Sequence, residues 1–269
     1  MSVRRSAVLF AALLAPAGLG AGASAPAQAA IVEKPVAYSV DGTAFEGVLV
    51  YDDAVATPRP PVLMVPNWFG VSAAAIAQAG EIAGRDYVVL VADVYGKTLR
   101  PTTAEQAGAA AGALRADRPR LRARANAALD ALLAQAGGAP MATGKVAAIG
   151  FCFGGGTVLE LARSGRPLDA VVSFHGNLDT PRPEDMTKAQ VKGVLVLHGA
   201  ADPFVPPAQV DGFLAEMKAT KLDWQLVSFG NAVHSFTDPE ANDPGKSQYD
   251  ETTAKRAFAL MRAFFDEKL

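Results

Sequence analysis

Short runs of apolar residues recur along the chain and constrain its fold more than any other feature. Eight β-like runs occur, at residues 36–40, 45–51, 62–65, 88–91, 146–149, 170–174, 194–197 and 224–229. The five that follow the second run are nearly continuous in apolar residues, as strands buried on both faces of a parallel sheet are. The first two alternate and are joined by Asp41-Gly42, a strong hairpin signal, so they are predicted to form an antiparallel edge.

Helical patterns separate the strands. Apolar residues recur at helical spacing in two places, at Leu121, Ala125, Ala128 and Leu132 and again at Ala254, Phe258, Met261 and Phe265. The alanine-rich stretch from Ala104 to Gly112 follows Pro101 and predicts the start of another helix. Strands that alternate with helices predict an α/β fold with a mostly parallel sheet flanked by helices. No linker is long enough to divide residues 30–269, which are predicted to form a single domain.

The first 29 residues have the pattern of an export signal. Arg4 and Arg5 precede an apolar stretch at residues 7–14, and the segment ends in Ala27-Gln28-Ala29, which fits a signal peptidase site. The sequence therefore predicts a signal peptide at residues 1–29 and a mature protein that is periplasmic or secreted. The apolar run is too short to span a bilayer comfortably, so no stable membrane anchor is expected after processing. An unprocessed anchor or an unstructured tail is the alternative.

Charge and motif content exclude several classes of partner. The formal net charge is −2, with 25 basic and 27 acidic residues interspersed, and no basic stripe exists that could bind a run of phosphates. Nucleic acid is therefore not expected as a partner. The histidines lack metal-ligand spacing, and no dinucleotide or flavin fingerprint occurs, so neither a metal nor a cofactor is expected. We expect a monomer or a small homo-oligomer.

The most specific motif surrounds the single cysteine of the chain. Gly150-Phe151-Cys152-Phe153-Gly154 follows an apolar strand, and a helical pattern begins at Thr157. This spacing is that of the G-x-S-x-G nucleophile elbow with cysteine in place of serine. The nucleophile there occupies a strained turn, so the residues two positions away must be small, and the helix N-terminus stabilises a thiolate. A glycine-rich turn with a buried cysteine is the alternative. A phosphate loop would need Gly-Lys-Ser/Thr or G-x-G-x-x-G at this place, and neither occurs there. The motif predicts an α/β-hydrolase fold with Cys152 as nucleophile.

A nucleophile needs a base and an acid that orients the base. In α/β hydrolases the acid and the histidine follow the nucleophile in that order, each after a later strand. Asp202 follows the run at 194–197 and His234 follows the run at 224–229, although Asp202 could instead form a turn before proline. His175 and His198 each end a strand before a glycine, so they are expected to bond loop backbone, and His175 is a candidate pocket residue.

These pieces together resemble the dienelactone hydrolase family. The matching segments are Gly150–Gly155, His198-Gly-Ala-Ala-Asp202 with Val205-Pro206, and His234-Ser-Phe236. The resemblance implies an eight-stranded α/β-hydrolase fold and the hydrolysis of small esters or lactones through an acyl-thioester on Cys152. His234 would be the base, oriented by Asp202.

The resemblance also implies the rest of the site. The backbone N–H groups of Phe153 and Trp68 would form the oxyanion hole. The candidate substrate contacts are Asn67, Phe69, Lys97, His175 and Phe236. Four aromatic residues would make the pocket wall apolar: Trp68, Phe69, Phe153 and Phe236.

Three of these positions depart from the founding enzymes. Asn67 replaces a glutamate, so thiol activation would rest on His234. Lys97 and Asp238 replace two arginines that clamp a substrate carboxylate. An acid at position 238 would repel an anion, so dienelactone itself is not the expected substrate.

Two other functional classes stay open. The first is a ligand-binding protein that has the hydrolase fold but no catalytic activity. Its only support is that Asn67 and Asp238 differ from the residues of the founding enzymes. A thiol-redox role for Cys152 would normally require a second cysteine to resolve the oxidised sulfur, and the chain has none.

Overall fold

The computed structural model describes residues 31–269, so the predicted signal peptide lies outside the described residues. The main sheet has eight strands: β1 (Ile31–Val40), β2 (Thr43–Asp52), β3 (Pro61–Val65), β4 (Val88–Val91), β5 (Ala147–Phe151), β6 (Ala170–Phe174), β7 (Gly193–Gly199) and β8 (Asp223–Phe229). Six α-helices accompany it: α1 (Ala73–Ala83), α2 (Ala104–Ala116), α3 (Arg118–Leu133), α4 (Phe153–Arg163), α5 (Pro207–Lys218) and α6 (Glu251–Lys268). A 3₁₀ turn (Pro183–Lys188) and a small hairpin of β9 (Asn242–Asp243) and β10 (Ser247–Gln248) complete the described elements.

The sheet order is β1-β2-β4-β3-β5-β6-β7-β8. The pairs β1–β2 and β2–β4 are antiparallel, and every pair from β4 to β8 is parallel. Asp41 and Gly42 close the β1–β2 hairpin with φ of 47° and 76°, the left-handed conformations that a tight hairpin turn requires. The predicted mostly parallel, eight-stranded sheet with an antiparallel N-terminal edge is confirmed.

Two apolar layers bury the faces of the sheet. Neighbouring strand residues point to opposite faces, so Val171 packs in one layer and Val172 in the other. Helices α2, α3, α4 and α5 cover the first face, and α1 and α6 cover the second. In the described part of the chain, no helix combines the length and apolarity needed to cross a membrane.

Helix α4 begins at Phe153, four residues before the predicted start at Thr157. The low helix propensity of glycine argued for the later start, but tertiary packing overrides it. A Cβ added at Gly154 would lie 2.0 Å from the carbonyl oxygen of Val65, and one at Gly150 would lie 2.0 Å from the carbonyl oxygen of Gly154. The glycines let the helix approach the sheet closely, and the helix therefore begins directly after Cys152.

Candidate active site

Cys152 occupies the strained turn between β5 and α4. Its φ is 54° and its ψ is −119°, a conformation that is unfavourable for any residue with a Cβ. Its N–H lies 3.0 Å from the carbonyl oxygen of Phe174 and 3.2 Å from Nδ1 of His175, and donates to both. The side chain is partly exposed. The turn thus presents a thiol at the N-terminus of a helix, where a negative charge on sulfur is stabilised.

A buried carboxylate orients the histidine of the candidate triad. Oδ2 of Asp202 lies 2.7 Å from Nδ1 of His234, and the Asp202 side chain has no exposed surface. The other carboxylate oxygen, Oδ1, accepts the N–H of Phe204 at 2.8 Å. With Nδ1 engaged by the carboxylate, Nε2 of His234 is the nitrogen left to exchange a proton with a thiol.

The protonation of His234 reflects both neighbours. Burial lowers the pKa of His234, but hydrogen bonds to Asp202 and to Cys152, together with the negative charges of those two groups, outweigh burial and raise the pKa to about 10. His175 lies between Cys152 and His234: its Nδ1 accepts the Cys152 N–H at 3.2 Å, and its ring centroid is 5.2 Å from that of His234. The structure thus places the bonded pair of Asp202 and His234 near Cys152, which is 82 positions before His234, at the carboxyl edge of the parallel strands.

The small β9–β10 hairpin holds the backbone of His234. The His234 N–H donates to the carbonyl of Lys246 at 3.1 Å, and its carbonyl accepts the N–H of Gln248 at 3.0 Å. The sequence does not predict this hairpin, because strands of two residues carry no periodic signal.

Two backbone donors point to the candidate oxyanion hole. Within residues 31–269, neither the N–H of Trp68 nor that of Phe153 donates to a protein acceptor. Two hydrogen bonds hold the peptide between Trp68 and Phe69, which directly follows the Trp68 N–H. Oδ1 of Asn67 accepts the Phe69 N–H of this peptide at 3.0 Å in a tight turn. The Tyr95 hydroxyl donates to its carbonyl, that of Trp68, at 2.8 Å.

Tyr95 was not singled out by the sequence analysis. Its ring also stacks on Phe153, with centroids 5.6 Å apart. Burial, with a smaller contribution from the negative charge of Cys152, raises the pKa of the Tyr95 phenol, so it stays a neutral donor. Its place in the loop that follows a buried parallel strand was the signal that could have identified it.

His175 links two parts of the site. Its Nδ1 accepts the Cys152 N–H, and its Nε2 lies 2.8 Å from Oγ1 of Thr237. Complete burial, and then the neighbouring His234, lower the pKa of His175 well below its ordinary value, so the ring is neutral. His198 is buried too, but within the described residues its Nδ1 has no hydrogen-bond partner, so its expected bond to loop backbone is not seen at that nitrogen.

The other predicted substrate contacts lie in different surroundings. Phe69 packs edge-on against Trp68 and is half-buried. Lys97 forms an ion pair with Glu46 on β2, with Nζ to Oε2 at 2.7 Å. Phe236 has no exposed surface and packs under the ring of His175, so the interpretation of Phe236 as pocket wall needs correction: alternation along the loop turns it into the core.

A groove of about 600 Å³ is lined by residues of α1 and α6. Asn67, Phe151 and His175 also line it; Phe151 precedes Cys152 in the chain, and His175 accepts the Cys152 N–H. Three acids, Glu81, Asp238 and Glu240, line the groove and form no ion pair with any residue from 31 to 269. The two cations of the lining are paired elsewhere, Lys255 with Glu251 and Arg262 with Asp86.

Comparisons with known proteins place this geometry in a family. The family model described as "Dienelactone hydrolase family" matches residues 45–269. The solved structure "m3DLH" is 39% identical, with a TM-score of 0.82 over 89% of this chain and 99% of that one. The structure of P91, titled a dienelactone hydrolase-like promiscuous phosphotriesterase from metagenomic libraries, is also 39% identical, with a TM-score of 0.81 over 89% and 99% of the two chains.

Part of the chain is also similar in sequence to a curated protein. An uncharacterized Caenorhabditis elegans protein, K02A2.1, is 37% identical over 126 residues, which are 46% of this chain and 80% of that protein. Because the family model covers most of the chain and the solved neighbours share its fold across their whole length, this protein belongs to the dienelactone hydrolase family of α/β hydrolases.

Proposed function

We propose that the protein hydrolyses small carboxylic esters or lactones, with Cys152 as nucleophile, His234 as base and Asp202 as the acid that orients it. The observation that carries the proposal is the 2.7 Å hydrogen bond between the buried Asp202 carboxylate and the His234 imidazole, whose pKa Cys152 also helps to raise. A buried carboxylate, an imidazole and a nucleophile in this order are the requirements of covalent acyl transfer.

Acylation begins from the thiolate–imidazolium pair. The Cys152 sulfur attacks the carbonyl carbon and forms a C–S bond, and the carbonyl electrons move onto oxygen. The N–H groups of Trp68 and Phe153, which have no protein acceptor within residues 31–269, stabilise that oxyanion. Each such donor lowers the barrier by about 3 kcal/mol. When the C–O bond to the alcohol breaks, the leaving oxygen takes the Nε2 proton of His234.

Deacylation uses the same groups in reverse. Neutral His234 takes a proton from water as the hydroxide oxygen attacks the thioester carbon. The second tetrahedral intermediate collapses with cleavage of the C–S bond, so the carboxylic acid leaves and Cys152 returns to thiolate. The proton on His234 restores the starting ion pair, whose stability follows from the contact with Asp202.

The charge around the groove favours neutral or cationic substrates over anionic ones. Asp238, Glu81 and Glu240 line the groove, whereas Lys97 is engaged by Glu46. Like charge disfavours a carboxylate-bearing substrate. We therefore expect a neutral ester to have a higher kcat/KM than its analogue with a terminal carboxylate, and the gap to narrow as salt is added.

Replacing Cys152 tests the function most simply. Wild type, Cys152→Ala and Cys152→Ser are assayed with p-nitrophenyl acetate and a panel of lactones, before and after treatment with iodoacetamide. The chain has one cysteine, so all labelling of a thiol is on Cys152. We expect Cys152→Ala to lose at least about 10³-fold in kcat. Turnover by Cys152→Ala at the wild-type rate would refute the assignment, and tight ligand binding with no turnover by wild type would favour a binding protein.

Phosphotriester hydrolysis is a second candidate activity, because the 39% identical P91 is titled a promiscuous phosphotriesterase. The proposed nucleophile and oxyanion donors would act on a P=O group as they act on a C=O group. Release of p-nitrophenol from a dialkyl p-nitrophenyl phosphate by wild type, and none by Cys152→Ala, is the expected result. A wild type that releases none would remove this candidate.

Export of the protein is a separate proposal that rests on residues 1–29. We expect cleavage near Ala29 and recovery of the mature protein from the periplasm or the medium. N-terminal sequencing of that protein checks the site, and recovery of an uncleaved chain in the cytosol would contradict it.

A further inference from the structure

His175 joins two loops that carry different members of the proposed triad. Its Nδ1 lies 3.2 Å from the backbone nitrogen of Cys152, and its Nε2 lies 2.8 Å from Oγ1 of Thr237, three residues beyond His234. The two contacts span 23 and 62 positions of sequence. One imidazole therefore connects the elbow to the loop of the base.

The hydrogen-bonding roles of the ring follow from its partners. A backbone N–H can only donate, so Nδ1 of His175 must be the acceptor and must carry no proton. Nε2 then bears the proton and donates to the Thr237 hydroxyl. Both ring nitrogens are occupied and the ring is buried, so His175 cannot itself be the base that attacks a substrate proton.

Three further contacts hold the ring in one orientation. The rings of His234 and Phe236 pack against it in T-shaped pairs, with centroid distances of 5.2 Å and 5.0 Å and interplanar angles of 65° and 83°. The backbone N–H of His175 donates to the carbonyl of Leu197 at 2.8 Å, and its φ of 38° is left-handed. A non-glycine residue held in that conformation shows that the surrounding structure determines its position.

We propose that His175 is a positioning residue that sets the distance between the Cys152 sulfur and the His234 imidazole by tying the elbow to Thr237. The inference rests on the proposed function and deepens it. Cys152 itself is strained, with a φ of 54°, and its N–H donates both to the Phe174 carbonyl at 3.0 Å and to Nδ1 of His175 at 3.2 Å. Both bonds oppose relaxation of the turn, and only the second connects it to Thr237. A misplacement of about 1 Å in a catalytic group can cost about 10²-fold in rate.

Two substitutions of His175 each keep one of its hydrogen bonds, to Cys152 or to Thr237, and remove the other. In His175→Asn the amide oxygen can replace Nδ1 as acceptor for the Cys152 N–H, but the shorter chain does not reach Thr237. In His175→Gln the amide nitrogen can replace Nε2 as donor to Thr237, but the Cys152 N–H loses this acceptor. His175→Phe keeps a ring and removes both contacts, and Thr237→Val removes one contact at constant shape.

The expected results concern kcat rather than KM. His175→Phe should lower kcat for p-nitrophenyl acetate by about 10²-fold with KM changed by less than about threefold. His175→Asn and His175→Gln, which each keep one contact, should each have a higher kcat than His175→Phe. Thr237→Val should lower kcat by about fivefold to tenfold. The rate of iodoacetamide labelling should fall in parallel, and its pH profile should shift, because both depend on the Cys152–His234 distance. Thr253→Val, a buried threonine on α6 with no side-chain bond to the site, is the matched control and should keep wild-type kcat.

The outcomes distinguish the tie from a packing role. Wild-type kcat and wild-type labelling in both His175→Phe and Thr237→Val, with only a lower Tm, would overturn the proposal. If His175→Phe does not fold, Thr237→Val decides alone, and an unchanged kcat there overturns it. The Cys152→Ala variant is assayed alongside: if it stays active the proposed function fails, whereas an inactive Cys152→Ala with a fully active Thr237→Val rejects only the role of His175.

Discussion

Replacing Asp202 by asparagine removes the charge that orients His234. The hydrogen bond is 2.7 Å long and the Asp202 side chain is fully buried, so water cannot replace it. A hydrogen bond to a charged group contributes about 1.5–3 kcal/mol, which corresponds to about a 10- to 100-fold loss in rate. The amide can also donate to Nδ1 of His234 and so move the imidazole proton to Nε2, and the wrong tautomer costs as much as about 10⁴-fold in an analogous triad. We therefore expect kcat/KM to fall by about 10²- to 10⁴-fold.

The assay pairs kinetics with a titration. Hydrolysis of p-nitrophenyl acetate gives kcat/KM, and the imidazole resonances followed by NMR give the pKa of His234. That pKa is about 10 in the wild type because Asp202 and Cys152 outweigh burial, and it should fall when the carboxylate is lost. Asp223→Asn is the control, since this carboxylate is half-exposed and pairs with Lys268 away from the site, and kcat/KM should change by less than about twofold.

If Asp202→Asn keeps kcat/KM within about threefold of wild type and His234 still titrates near its original value, Asp202 does not orient and charge the imidazole. A loss of activity with an unaltered His234 pKa would lead to the same conclusion, because the loss would then not come from the orientation and charge of the imidazole.

The remaining predictions concern stability and the oxyanion loop. Gly154→Ala should lower the free energy of unfolding in urea by about 3 kcal/mol, because its Cβ would lie 2.0 Å from the carbonyl oxygen of Val65. Gly112→Ala, whose Cβ meets nothing within 4 Å, should instead raise the free energy of unfolding by about 1 kcal/mol. Equal Tm values for the two variants would show that close packing at Gly154 does not limit stability. Tyr95→Phe should lower kcat about fivefold with little change in KM, because one hydrogen bond of about 1 kcal/mol to the Trp68 carbonyl is lost, and an unchanged kcat would contradict that role. The pKa of His234 is raised from 6.5 to about 10, so its contribution to stability is complete below pH 6.5 and is lost as pH rises through about 10. The Tm of wild type should fall across that window more steeply than the Tm of Asp202→Asn, and parallel curves would contradict the linkage.

The parts of the fold that sequence could predict depend on local patterns. Buried parallel strands are short continuous apolar runs, and the hairpin at Asp41-Gly42 needs left-handed residues, so both leave a direct signal. The elbow is equally local, because the glycines at 150 and 154 must stand two residues from Cys152 for steric reasons. Asp202 and His234 could be proposed from their order and from their places after strands.

The features that sequence could not predict depend on contacts between distant segments. The early start of α4 comes from packing against the carbonyl of Val65, which outweighs the low helix propensity of glycine. The bond between His175 and Thr237 joins residues 62 positions apart and has no local pattern. The sequence predicts Phe236 in the aromatic pocket wall, but its ring is fully buried in the core, which depends on how the loop packs.

Rapid-quench mass spectrometry of the wild-type protein mixed with excess p-nitrophenyl acetate tests whether Cys152 carries the acyl group during turnover. We expect one acetyl group per chain, formed within a single turnover, on the peptide that contains Cys152. Mild treatment with hydroxylamine should remove it, as it removes a thioester. In His234→Gln, the fraction of chains acetylated on Cys152 should increase if the substitution slows deacylation more than it slows acylation. Steady turnover with no acyl group on Cys152 at any quench time, or an acyl group on another residue whose formation matches kcat, would show that Cys152 is not the nucleophile.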